Sequence, residues 1–378
     1  MLFRKKRFWC VLLVPFSILL TRLAHNNPAA TDHWFSMGIY RVLTETYGRV
    51  FGYLPFSVSQ FLIILLPLGA AVYVILEICR IVSAFRKRDN FSITHDSAKK
   101  CAVRLAANSA CTVGVLWFIF TMGAGLNYAR LEFGELIGLD VRPSSVAELA
   151  ALTEILVEHA NELATQVERN DYGHMVVSAS SMFALSQEAR SIFRDAGEDF
   201  PVLRGFVPHV KPILYSRFMS RLRIVGIYSP FTMEAHVNVD VMDYHIPATM
   251  IHELAHFRGI MREDEANFIA WLVGYHSGHP DFMYSGALLA LTYASNQLHR
   301  VNRDEHSRVM SQLSGYIWAD FAANRDYWRQ FEGPLADISQ AANDAYLRAN
   351  RQEDGVFSYG RVVDWLLAYF RDEILSRM

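Results

Sequence analysis

The chain has 378 residues, of which 52% are hydrophobic and 20% charged, with a net charge of −2. That balance gives no argument for nucleic acid as a partner, and the length allows one ordinary globular domain plus further segments. Its four cysteines, Cys10, Cys79, Cys101 and Cys111, all fall in the first third, so the rest of the chain has no disulfide framework and no thiolate to offer a metal.

In chain order, a basic start (Arg4-Lys5-Lys6-Arg7) precedes an apolar run over about residues 8–24. A charged start before a short apolar core also fits a secretory signal, with Asn27-Pro28-Ala29-Ala30 as its small-residue patch. An uncleaved first membrane span is preferred, because two further apolar runs follow at about 54–81 and 105–128. Runs of this length can cross a hydrocarbon core of about 30 Å. Between the first two, residues 26–53 are amphipathic and rich in rings (Trp34, Phe35, Tyr40, Tyr47, Phe51), which predicts a helix lying at the outer membrane surface or, alternatively, an ordinary loop packed on the globular domain.

Arginine and lysine set the predicted orientation. They cluster at Arg4–Arg7 and again between Arg80 and Arg104, whereas the loop between the first two spans has only Arg41 and Arg49. Positive loops stay cytoplasmic. The expectation is a multi-pass cell-membrane protein with a cytoplasmic N-terminus, a membrane domain over 1–128 and an extracytoplasmic domain over 129–378.

The second part reads as mainly α. Ser144 or Ser145 can cap a helix reaching Val167; others are predicted over 180–196, 215–222, 286–298, 309–331, 335–349 and 361–375. The clearest strand signal is Ala235-His236-Val237-Asn238-Val239-Asp240, which alternates polar and apolar side chains. Such a strand could pair with an extended peptide or belong to a small sheet without a substrate role. The expected fold is three N-terminal transmembrane helices followed by an α+β domain with a small β element.

The chemistry concentrates after that strand. Pro247 opens a helix and Gly259 closes it, and between them stands His252-Glu253-Leu254-Ala255-His256. Positions i and i+4 share a helix face, so both imidazoles can address one point, where Zn²⁺ is the natural guest. Glu253 is placed to take a proton from a metal-activated water and return it to a leaving amine. The third ligand comes from the next helix. Glu263 and Glu265 are separated by roughly 200° around it, so both cannot bind, and Glu263 is preferred; Asp264 is set aside. Asn267, one turn on from Glu263, can accept a hydrogen bond from a ligand imidazole. Arg262 stands six residues past His256, so a three-histidine site is not supported. An oxyanion donor is also needed, and Tyr275, His276, His279, Tyr284, His299 and Arg300 are open candidates; His236 and His245 are no stronger.

Several blocks resemble the bacterial membrane proteins grouped as the domain-of-unknown-function 3810 family. They are G-I-Y-S-P-F-T-M-E-A-H-V-N at 226–238, the run from Pro247 to Ala270, Y-S-G-A-L-L-A-L-T-Y at 284–293, A-N-D-A-Y-L-R-A-N at 342–350, S-Y-G-R-V-V-D-W-L-L at 358–367, and L-P-F-S at 54–57. That family is similar to gluzincins, zinc peptidases whose third ligand is a glutamate. In related membrane peptidases the pattern is E-x-x-A-D/N, and Glu263-x-x-Ala266-Asn267 matches it, with Asn267 in place of the commoner aspartate. The resemblance implies a zincin-like domain and a zinc metallopeptidase acting on a peptide or protein, and names no substrate; it is the membrane tether that makes a membrane-proximal or cell-envelope substrate the expectation. The rival expectation is a non-catalytic zinc-binding sensor or scaffold of the cell envelope.

Overall fold

The computed structural model describes residues 6–86, 91–350 and 361–378. The basic residues at 4–5 and 87–88 and the S-Y-G at 358–360, singled out above, lie outside these. The chain is mainly helical with one small sheet.

Among the described residues, three helices are long and apolar enough to cross a membrane: Lys6–Asn26, Val58–Arg86 and Phe91–Gly123. The second and third differ in their bounds from the expected 54–81 and 105–128. Residues 54–57 form a turn, and helix begins only at Val58. At the far end the helix stops at Gly123, and Ala124 leaves helical backbone (φ −149°, ψ −50°). Residues 125–129 then form a tight helical turn that is buried instead of lying in a span.

Residues 28–52 are helical, as expected, but one face packs on the globular part. Phe35 and Tyr40 are buried, and the Tyr40 hydroxyl donates to the Phe257 carbonyl at 3.2 Å. Asp32 pairs with the buried Arg130 guanidinium at 2.7 Å. Trp34, Val42, Val50 and Tyr53 are exposed on the other side. The segment is therefore a bracket with one apolar face turned outward rather than a helix lying wholly on a lipid surface.

In the globular part, Ser145 and Glu148 form a reciprocal capping box at the start of Val146–Leu163. Ser181 caps Met182–Asp199, and a short helix spans Ser216–Arg221. The expected helix over 309–331 is two, Arg303–Met310 and Gly315–Arg329, and that over 361–375 is broken at Phe370 into Val362–Tyr369 and Arg371–Arg377. Pro280–Val301 and Pro334–Ala349 complete the set around the two helices of the candidate site.

The sheet has three strands: β1 (Lys211–Pro212), β2 (Gly226–Ser229) and β3 (Glu234–Val237), in the order β1-β3-β2. β3 is parallel to β1 and antiparallel to β2, with Gly226 opposite Val237 and Ser229 opposite Glu234. The strand predicted from alternation is thus the central one, paired on both edges and buried along its length. It cannot itself receive a peptide. The edge strand β2, which carried no strand signal, pairs only with β3 and, like β1 at the other edge, has an open side among the described residues.

β3 also ties the membrane helices to the sheet. The Glu234 carboxylate accepts from the Val58 and Ser59 amides (3.1 and 2.8 Å) and from Lys211 Nζ (2.6 Å). An anion at a helix N-terminus meets unpaired amides and the positive end of the dipole. His236 Nε2 lies 2.8 Å from Ser57 Oγ, so it serves this junction.

Candidate metal centre

The helix Ile246–Phe257 is buried on nearly every side, with Met250, Ile251, Leu254 and Ala255 inaccessible. Pro247 lies in its first turn, where its missing N–H costs nothing. Gly259 ends it at φ +82°, a left-handed conformation that favours glycine. The chain reverses through buried Ile260 and Met261, and Glu263–His276 follows.

That reversal brings His252, His256 and Glu263 together, with one ligand atom from each lying within 4.8 Å of the others. His252 Nε2 is 3.2 Å from Glu263 Oε2, and His256 Nε2 is 3.6 Å from Glu263 Oε1. The other ring nitrogens are engaged elsewhere. His252 Nδ1 lies 2.9 Å from Asn267 Oδ1, and His256 Nδ1 lies 2.7 Å from the Ile260 carbonyl. Acceptors on both Nδ1 atoms favour the tautomer that leaves each Nε2 lone pair facing Glu263. Asn267 is fixed in turn, its Nδ2 donating to Tyr293 Oη at 3.1 Å.

Electrostatics sharpen the arrangement. Burial pushes His256 down to about 4, keeping it neutral. Burial would lower His252 too, but its hydrogen bond and charge interaction with Glu263 reverse this and its pKa is raised. Glu263 is held below the usual carboxylate range, its burial outweighed by the two histidines. Burial, with a smaller push from Glu263, raises Glu253 to about 8 against the pull of His252. Glu253 Oε2 is buried and has no hydrogen-bond partner among the described residues. Two imidazole nitrogens, a carboxylate and an adjoining unsatisfied carboxylate oxygen are a donor set that fits Zn²⁺ and a bound water.

Glu265 is elsewhere. It is buried, accepts from Arg262 Nη1 at 2.7 Å and from the Phe133 amide at 3.2 Å. Asp264 accepts from the Glu265 amide. Of the six oxyanion candidates, five have partners away from the cluster and Arg300 lies in a surface cavity. Tyr275 stacks against Trp271, His276 bonds the Tyr369 hydroxyl and His279 faces Glu188. Tyr284 is held by Asp320 and Arg169, His299 lies beside His306, and Arg300 lines a surface cavity with Ser144 and Arg361. His245 bonds Asn324.

Sequence reasoning missed the residues that come from far away in the chain. Tyr293 steadies Asn267, and the Tyr228 ring lies 6.5 Å from that of His256. Gly226 lies so close to the helix Ile246–Phe257 that a Cβ there would collide with Glu253 Oε1 and sit 2.6 Å from Thr249 Cγ2. No local spacing marks any of them, although all three fall inside the blocks that carried the family resemblance.

Fold and site together define a mainly helical protein with three membrane-length helices and a buried His/His/Glu cluster under a small sheet. The family described as "Protein of unknown function (DUF3810)" matches residues 35–367, and the chain belongs to it. No curated protein and no solved structure matches the chain.

Proposed function

We propose that this protein is a membrane-anchored zinc metallopeptidase of the cell envelope. The observation that carries the reading is the convergence of His252 Nε2, His256 Nε2 and Glu263 beside the unpartnered Glu253 oxygen. His252, His256 and Glu263 would hold one Zn²⁺. A zinc ion bound there supplies a water that ionises near neutral pH and a Lewis acid for a carbonyl. Glu253 takes the water's proton, holds it in a buried pocket and delivers it to the leaving amine. Asn267 and the Ile260 carbonyl keep the two imidazoles in register. A peptide substrate would lie along the open side of β2, whose first residue packs against Glu253.

The positive-inside argument from Arg4–Arg7 and Arg80–Arg104 would put the N-terminus in the cytoplasm and the catalytic part outside it. In the rival reading zinc serves a sensor or scaffold. A site of that kind has no use for a carboxylate in Glu253's position. The test is to purify the full chain, measure zinc by mass spectrometry, and assay a mixed peptide library with Glu253 intact or replaced (Glu253→Gln). One zinc per chain with Glu253-dependent cleavage is expected. Zinc without such cleavage would leave the sensor or scaffold reading standing.

A further inference from the structure

The two ends of β2 touch two different things. At its start, Gly226 packs against Glu253 and Thr249. Just past its end, Pro230 meets the last turn of the third membrane-length helix so closely that a Cβ on Gly123 would strike the Pro230 carbonyl. The Tyr228 hydroxyl donates to the Gly123 carbonyl at 3.4 Å, and the Tyr47 hydroxyl donates to Phe231 at 2.8 Å. The apolar window of that membrane helix runs from Lys99 to Gly123. β2 therefore leads from the general-base candidate to the boundary of the bilayer. Gly226 to Ser229 covers about 10 Å at roughly 3.3 Å per residue.

The strand's outward backbone has no strand partner among the described residues. The Asn238 amide donates to the Val225 carbonyl at 2.8 Å. Hydrogen-bonded pairs alternate along an antiparallel ladder, so Ile227 and Ser229 also face β3, while Gly226 and Tyr228 turn their amides and carbonyls outward. No strand lies on that side among the described residues. Gly226 has no side chain and Ile227 is partly exposed, so a second backbone can approach.

We infer that β2 receives the juxtamembrane stretch of another membrane-anchored polypeptide and aligns for cleavage a bond about three to six residues from that chain's membrane segment. The inference rests on the peptidase reading and adds to it a class of substrate and a ruler. An extended chain laid on β2 leaves the bilayer beside Gly123 and reaches Glu253 within the length of the strand. A cut much farther out would need the tail to loop back, and a cut closer would lie below the site.

The test uses the full chain, loaded with zinc, in nanodiscs of phosphatidylethanolamine and phosphatidylglycerol. The probe is an apolar helix of about 20 residues carrying a randomised polar tail of similar length, made in two versions with the tail at either end. The same tail without the helix is the comparison. Products are mapped by mass spectrometry, with Glu253→Gln as the control. Anchored tails should be cut within a narrow band about three to six residues beyond the helix, whatever residues stand there. Sharing a bilayer raises the effective concentration of any tail, so position decides the matter rather than rate. Cuts scattered along the anchored tail, or at equal rates and positions in the free tail, would overturn the inference and leave a peptidase without a ruler. Absence of Glu253-dependent cleavage in both probes would remove the peptidase reading and this inference with it.

Discussion

Glu265 points away from the histidines and is held by Arg262 at 2.7 Å, both side chains being largely buried. Glu263, two residues earlier, faces them. The two carboxylates should therefore fail differently. Glu263→Gln is expected to abolish stoichiometric zinc, read by mass spectrometry of the purified protein, with little loss of fold. Glu265→Ala should keep its zinc and lower stability by about 3 kcal/mol, because it takes the close carboxylate from a largely buried guanidinium that is left with the Tyr128 and Arg130 carbonyls and the more distant Glu132. Loss of zinc from the second variant with an unchanged melting temperature would reverse the assignment.

Asn267 places its Oδ1 2.9 Å from His252 Nδ1, where an aspartate would also reach. A carboxylate would accept from His252 Nδ1–H in either orientation, whereas an amide must present its oxygen. Tyr293 is the partner that takes the other end of the amide. Asn267→Ala should weaken zinc binding by about 10–100-fold, the usual cost of losing an outer partner of a ligand histidine. Asn267→Asp should hold zinc at least as well as the wild type. Competition with a chromophoric chelator measures both, and equal affinities for all three proteins would show that Asn267 does not orient His252.

These contrasts trace what could be read from residue order. That His252 and His256 share a face, and that Glu263 and Glu265 point to different sides, follows from 3.6 residues per turn alone. Pro247 and Gly259 bracket the first helix for equally local reasons. The three apolar runs could be found by length, but their ends could not. The third helix ends at Gly123 because residues 125–129 find burial against the globular part, a contact invisible along the chain. β2 was missed for the same reason. Its four residues show no clean alternation, and it is a strand because β3 lies beside it. Tyr40 and Tyr228 meet at 2.9 Å across 188 positions, which no periodicity encodes.

The clamp between sheet and membrane helix should be a large contributor to stability. Glu234 is inaccessible and answers Lys211 and two amides at the start of the second membrane-length helix. Glu234→Ala leaves a buried ammonium and two uncapped amides, and about 3–5 kcal/mol of destabilisation is expected. Replacing both partners with apolar residues (Glu234→Leu with Lys211→Met) should recover much of the Lys211 penalty while the cap remains lost. Thermal melts of the detergent-solubilised chain decide this; equal melting temperatures for the single variant and wild type would contradict it.

Metal-free protein should lose stability as pH rises, and Glu253 should be a main cause. Burial raises its carboxyl from 4.5 to about 8. A raised acid favours the protonated form in the folded state, so its stabilising contribution is complete below its ordinary pKa and is lost as pH climbs through about 8. His252, also raised, acts in the same direction. The melting temperature of the zinc-free wild type should thus fall between about pH 5 and pH 8 more steeply than that of Glu253→Gln. The two should nearly coincide at the acid end. Parallel curves would mean that Glu253 ionises without strain in the folded chain.

Gly226 gives the sharpest test of how closely the edge strand is fitted to Glu253, the proposed general base. Its φ is not in the left-handed region, so alanine is allowed by the backbone, and only space opposes it. The added methyl would meet Glu253 Oε1 and Thr249 Cγ2, and either the strand or the carboxylate must move. The ring nitrogens and Glu263 are not in its path, so Gly226→Ala should retain zinc. Displacing a catalytic group by about 1 Å can cost on the order of 100-fold in rate, and a loss of that order in library cleavage is expected. Glycine is thus required here for proximity rather than for turning. Full cleavage by the alanine variant would show that Glu253 has room to work with the strand drawn back, and the close packing of β2 on the helix Ile246–Phe257 would then have no bearing on turnover.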